Sequence, residues 1–165
     1  LPLGNSYMGA SVFGRTEVER IQITENSVYN PSLRGSHWRD GSGGTRTFGD
    51  IYIETGHDVV SAYSRGLSLD EAAAYVRYTC GGVVYRREYT MSYPDRVLAV
   101  RLTAERDGNP VKGGLSFAVR LEIPFVRDYC IREGDGAGRT GEVTADGDRL
   151  VMRGTSLYYH ILCEG

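Results

Sequence analysis

A chain of 165 residues with a formal net charge of −2, 41% hydrophobic and 24% charged residues is long enough for one domain that buries roughly two-thirds of its unfolded surface. The charge lacks the basic excess of a duplex nucleic-acid binder, and no stretch approaches the ~20 apolar residues of a membrane span. Twenty-two Gly and twelve Tyr, beside one Trp and four Phe, point away from a helical protein and towards half-buried strands joined by many turns.

Taken in chain order, the pattern is one of strands. Glu19–Thr24 alternates polar and apolar residues, the period of a half-buried strand. Pro31–Thr47, with Trp38 and the run Arg39-Asp40-Gly41-Ser42-Gly43-Gly44, reads as a long irregular loop, and loops of that length inside compact domains commonly serve function. Phe48–Glu54 is a second strand. Ser68–Ala74 has the look of an N-cap and one helical turn leading into a third strand, Ala73–Thr79. Cys80-Gly81-Gly82 is hairpin chemistry before a fourth strand, Val83–Met91. Arg96–Thr103 and Leu115–Ile123 are expected to pair across the turn-forming Arg106–Pro110. A three-residue hairpin loop, Asp146–Asp148, joins Val143–Ala145 to Arg149–Met152, and Leu157–Cys163 reads as a last strand. Strands at intervals of about 8–12 residues with Gly, Asp and Asn between them are the mark of an all-β antiparallel sandwich.

Few residue constellations carry chemistry. Glu17 and Glu19 are spaced to share one strand face, about 7 Å apart, which is within glycosidase reach. With Arg15 and Arg20 alongside, and nothing evident to desolvate them, they read better as a solvated polar face. His37, His57 and His160 lie in different elements, so no zinc site is expected. The Gly-rich runs lack a phosphate-loop ending and Ser residues lack an elbow motif; no metal and no cofactor is expected. Cys80, Cys130 and Cys163 read as buried thiols, one disulfide remaining open outside the cytoplasm. Leu1 opens the chain without a Met and the end reads as a strand stopped mid-sheet, so a piece of a larger protein is expected. Thr24–Pro31 gathers carboxylate, amide and aromatic groups after a strand, a set suited to sugar hydroxyls and apolar sugar faces, or simply to capping turns.

Several runs are similar, in the same order, to glycoside hydrolase family 95. They are Leu1–Gly14, Glu19–Tyr29, Phe48–Ile53, Val76–Tyr89 and Ser92–Leu102, which together span most of residues 1–125. The resemblance implies a partial N-terminal β-sandwich of the supersandwich type. In the full enzyme it would be followed by a linker, an (α/α)6 barrel and a C-terminal β domain. It further implies inverting hydrolysis of terminal α-1,2-linked L-fucose, or of α-L-galactose, by a secreted or periplasmic enzyme. The catalytic Glu, Asp and Asn residues lie in the barrel, so none falls on this chain. The expected role is to brace that barrel, with a fucosylated glycan as the full enzyme's substrate and neither nucleic acid nor membrane as partner. Where the family has Gly-Arg after Asn this chain has Ser6-Tyr7, and where it has Trp this chain has Tyr29. Asn5, Glu25, Asn26 and Tyr29 are the residues expected to touch substrate if sandwich loops reach the barrel mouth. The rival readings are a stand-alone carbohydrate-binding sandwich and an enzyme working through Glu17 and Glu19.

Overall fold

The computed structural model describes residues 1–30, 44–122 and 140–155. Among these the regular structure is entirely β, arranged as two five-stranded antiparallel sheets packed face to face with a separate hairpin. The first sheet takes strands β1 (Pro2–Gly4), β2 (Met8–Val12), β3 (Val18–Asn30), β4 (Gly44–Glu54) and β10 (Ala118–Glu122), in the order β1-β2-β3-β4-β10. The second takes β5 (Ser61–Ser68), β6 (Ala73–Cys80), β7 (Val83–Ser92), β8 (Val97–Arg106) and β9 (Asn109–Pro110), in simple sequence order. Strands β11 (Thr140–Asp146) and β12 (Arg149–Thr155) form the hairpin.

Period-2 patterning decides which side chains meet. Ala10, Val12, Ile21, Ile23 and Ile53 project from the first sheet onto Ala74, Val76, Tyr78 and Tyr89 of the second, giving one buried core. A side chain of Ile or Val size contributes about 1.5–3 kcal/mol when fully buried, so this layer is the main source of cohesion between the sheets. The β5 edge is closed by side chains: the Tyr63 hydroxyl donates to the Gly14 carbonyl at 2.7 Å, and Arg65 donates to that of Phe13.

Local chemistry fixes the turns. Gly81 and Gly82 both have positive φ, 55° and 74°, in a two-residue turn between Cys80 and Val83, the mirror-image turn that matches strand twist. A single turn at residues 69–72 precedes β6, with the Ser68 hydroxyl accepting from the Glu71 N–H at 3.3 Å.

Three sequence expectations about the course of the chain are corrected. Leu115–Ile123 does not pair with Arg96–Thr103: β10 lies against β4, from Ala118 opposite Glu54 to Glu122 opposite Asp50. Just past β9 the Val111 N–H still donates to the Ala104 carbonyl of β8 at 2.9 Å, and a turn closed by the Gly114 N–H on the Val111 carbonyl, 3.0 Å, then takes the chain out of that sheet. The β11–β12 loop is two residues, Gly147 and Asp148, since Asp146 sits opposite Arg149. The long loop ends earlier than expected, because Gly44–Thr47 already belongs to β4. Cys80 is half-buried at the sheet end beside its hairpin. Cys130, Cys163, Trp38 and the strand expected at Leu157–Cys163 lie outside the described residues.

Candidate functional site

One end of the sandwich gathers polar and aromatic groups from both sheets. Asn5 begins the β1–β2 turn, and its Oδ1 accepts from the N–H groups of Tyr7 (3.1 Å) and Met8 (2.7 Å), the side-chain mimic of a backbone turn. Its Nδ2 donates 2.6 Å to the Ser92 carbonyl at the end of β7. One amide thus ties the β1–β2 turn to the β7–β8 turn across the sandwich. The second turn is itself closed by Ser92, whose hydroxyl donates to Asp95 Oδ2 at 2.6 Å and accepts from the Asp95 N–H at 3.3 Å. Between the turns lies an open groove of about 260 Å³, lined by Ser6, Tyr7, Tyr93, Pro94 and Arg96. The Arg96 guanidinium sits 4.4 Å from the centre of the Tyr7 ring, a cation–π stack.

The structure brings three of the four expected contact residues to this end. Asn5 is 7% exposed, with both ends of its amide engaged as described. Asn26 is exposed and donates from Nδ2 to the Ser6 carbonyl at 2.5 Å, its own N–H reaching the Tyr7 carbonyl at 3.1 Å. Glu25 pairs opposite Met8. Its Oε2 accepts from the N–H of Ser27 at 2.9 Å and from the Ser27 hydroxyl, while Oε1 is buried without a donor among the described residues. Tyr29 sits opposite Thr45 in the β3–β4 ladder, and its side chain lies outside the described residues. The segment does not follow the strand; it is the strand. β3 runs on to Asn30, with a register break between Thr24 and Tyr29, the kind of irregularity that re-aims side chains at a sheet margin. Tyr7, Tyr93 and Arg96 were not singled out from sequence as site residues. Their signal was the turn chemistry at Asn5 and at Tyr93-Pro94-Asp95, which marks two loops but not their meeting.

A second polar cluster lies inside. Glu19 and Glu17 do not share a face: Glu17 is exposed just before β3, whereas Glu19 is fully buried, in step with Ile21 and Ile23. Its Oε1 accepts 2.7 Å from the Gly14 N–H and 3.0 Å from the Arg20 N–H; its Oε2 accepts 2.8 Å from the Tyr89 hydroxyl and lies 3.3 Å from Arg87 Nη2. Arg87, 1% exposed, also donates to the Arg15 carbonyl, while Nε and Nη1 have no partner among the described residues. The cluster satisfies the carboxylate while tying β3 to β7. Burial, with the Glu19 charge adding to it and Arg87 opposing, pushes the Tyr89 phenol far above its ordinary range. Beside Arg87, the His57 ring lies over Tyr85 at 4.2 Å between centroids, and its Nδ1 is 2.9 Å from the Tyr78 hydroxyl. Burial, then the Arg87 charge, holds the His57 pKa below its ordinary value. Glu19 therefore has no open cleft in which to act as a glycosidase acid or base.

The described residues thus form an all-β sandwich with a polar, aromatic groove at one end. The model of the glycosyl hydrolase family 65 N-terminal domain matches residues 29–160, and the chain belongs to that family. Alpha-L-fucosidase 2 of Arabidopsis thaliana is 24% identical over 156 residues, a match covering 74% of this chain and 18% of the plant protein. The chain therefore spans under a fifth of the curated relative it matches.

Proposed function

We propose that this chain is the non-catalytic N-terminal domain of an inverting α-L-fucosidase of the family 95 type. The full protein would remove terminal α-1,2-linked L-fucose, or α-L-galactose, from glycans outside the cytoplasm. The observation that carries the reading is the match to alpha-L-fucosidase 2 on a chain that belongs to a glycoside hydrolase N-terminal family. The ordered runs from Leu1 to Leu102 that resemble family 95 support the same choice. The buried engagement of Glu19 with Arg87 and Tyr89 supports a role outside the chemistry, since the carboxylate is held by donors on both oxygens.

In this reading the sandwich braces a helical catalytic domain, and the β3 margin walls one side of its cleft. Glu25 and Asn26 stand with Tyr29 along the margin of β3, where carboxylate and amide groups suit sugar hydroxyls, and Asn5 holds the adjoining turn in place. The test is hydrolysis by the full-length protein of 2′-fucosyllactose and of an α-L-galactosyl analogue, with Glu25→Ala beside wild type. Release of fucose or L-galactose with inverted anomeric configuration is expected, and Glu25→Ala should raise KM more than it lowers kcat. Retention of configuration, or no cleavage of either substrate, contradicts the assignment; unchanged KM and kcat in the variant removes Glu25 from the cleft wall.

A further inference from the structure

We propose that the groove between the β1–β2 and β7–β8 turns is a binding site for a sugar bearing a carboxylate, a pyranose of the hexuronate class. Four observations converge there. Tyr93 is 70% exposed and Tyr7 38%; a rigid aromatic face of this kind stacks on the apolar side of a pyranose at little cost in side-chain entropy. Arg96 is exposed, and no carboxylate lies within ion-pair distance of it among the described residues. The adjacent Asp95 carboxylate is engaged with the Ser92 hydroxyl at 2.6 Å. The cation–π contact with Tyr7, 4.4 Å from guanidinium to ring centre, holds Arg96 at the groove, and a guanidinium without an acidic partner fits a carboxylate in bidentate fashion.

The backbone is also committed to this shape. Ser6 and Arg96, one in each turn, have positive φ of 67° and 55°, a conformation uncommon for residues other than Gly and concentrated where surrounding structure enforces it for function. The Asn5 amide supplies that enforcement by bonding both turns. The groove's volume of about 260 Å³ lies just below the ~300–1,000 Å³ of drug-sized ligand sites, which is room for one sugar ring rather than an oligosaccharide. A neutral sugar would use the tyrosines and leave the cation without its matching group, so the acidic class is favoured.

The site does not rest on the fucosidase reading, and its readout is binding rather than hydrolysis. The full-length protein is titrated with methyl β-D-glucuronide and with methyl β-D-glucoside by ligand-observed NMR, in wild type, Arg96→Gln and Tyr93→Ala. Both substitutions are at exposed side chains, and thermal melting verifies that the variants fold. Wild type should prefer the glucuronide by about tenfold, the worth of one charge-assisted contact. Arg96→Gln should abolish that preference, and Tyr93→Ala should weaken both probes. Equal affinity for the two probes, an undiminished preference in Arg96→Gln, unchanged binding in Tyr93→Ala or no glucuronide binding at all would each overturn the proposal.

Discussion

At the scale of single residues, the buried Glu19–Arg87–Tyr89 cluster dominates. Removing one member leaves a charge in the core without its partner, which costs about 3–5 kcal/mol, whereas replacing both members of such a pair by apolar groups is often near neutral. Arg87→Met should therefore destabilise the fold by about that amount in urea titration, and Glu19→Leu/Arg87→Met should recover much of the loss. A double variant no better than Arg87→Met alone would mean that the pair does not act as a unit. His57 gives a pH signature. Its folded pKa lies below that of the unfolded chain, so the unfolded state binds the proton more tightly. Stability from this group is complete above the unfolded value near 6.5 and falls as pH drops through the folded one. The wild-type loss of stability as pH falls below about 6.5 should shrink in His57→Phe; an unaltered profile would remove His57 from the account. The place of Glu19 was legible in the sequence, because it shares parity with Ile21 and Ile23. Reading it instead by its neighbours Arg15 and Arg20 set the local charge pattern above the strand period. The buried partner that makes the position tolerable, Arg87, is 68 residues downstream by numbering and carries no local signal.

Among the elements, those with an apolar stripe were legible and those without one were not. β6, β7 and β8 show alternation or dense β-formers and were found close to their observed bounds, whereas the second half of β3 and the first four residues of β4 were read as loop. β5 is an edge strand whose first five residues are exposed, so its sequence, Ser-Ala-Tyr-Ser-Arg-Gly-Leu-Ser, has no reason to alternate. β2 hides behind Gly9 and Ser11, and β1 and β9 are too short to carry a period. Partner choice was hidden too, since the crossing of β10 to β4 depends on how the chain turns after Pro110. One glycine in the edge strand makes its own prediction. A Cβ on Gly66 would lie 2.5 Å from the Tyr75 hydroxyl oxygen, whose ring covers the space across the β5–β6 ladder where Gly66 and Tyr75 are partners. Gly66→Val should displace that ring and loosen β5, seen as faster amide exchange at Arg65 and Leu67 with the β6–β7 ladder still protected. Unchanged exchange in β5 would contradict it.

For the whole molecule, the site was half legible. The sequence singled out Asn5, Glu25 and Asn26, and the fold brings them to one end. The groove beside them needs Tyr7 and Tyr93 from two turns that are 86 residues apart by numbering, a juxtaposition only the sandwich creates. The sandwich also leaves large apolar groups on its surface, Leu69 at 83%, Val59 at 78% and Phe48 at 47% exposure among them. The measurement that bears most directly on a bracing, non-catalytic role is hydrolysis of 2′-fucosyllactose by residues 1–165 alone and by the full-length protein, with circular dichroism of the shorter chain run alongside. We expect a β-rich spectrum and no fucose release from residues 1–165, beside turnover by the full-length protein. Fucose release by residues 1–165 alone would contradict a bracing, non-catalytic domain.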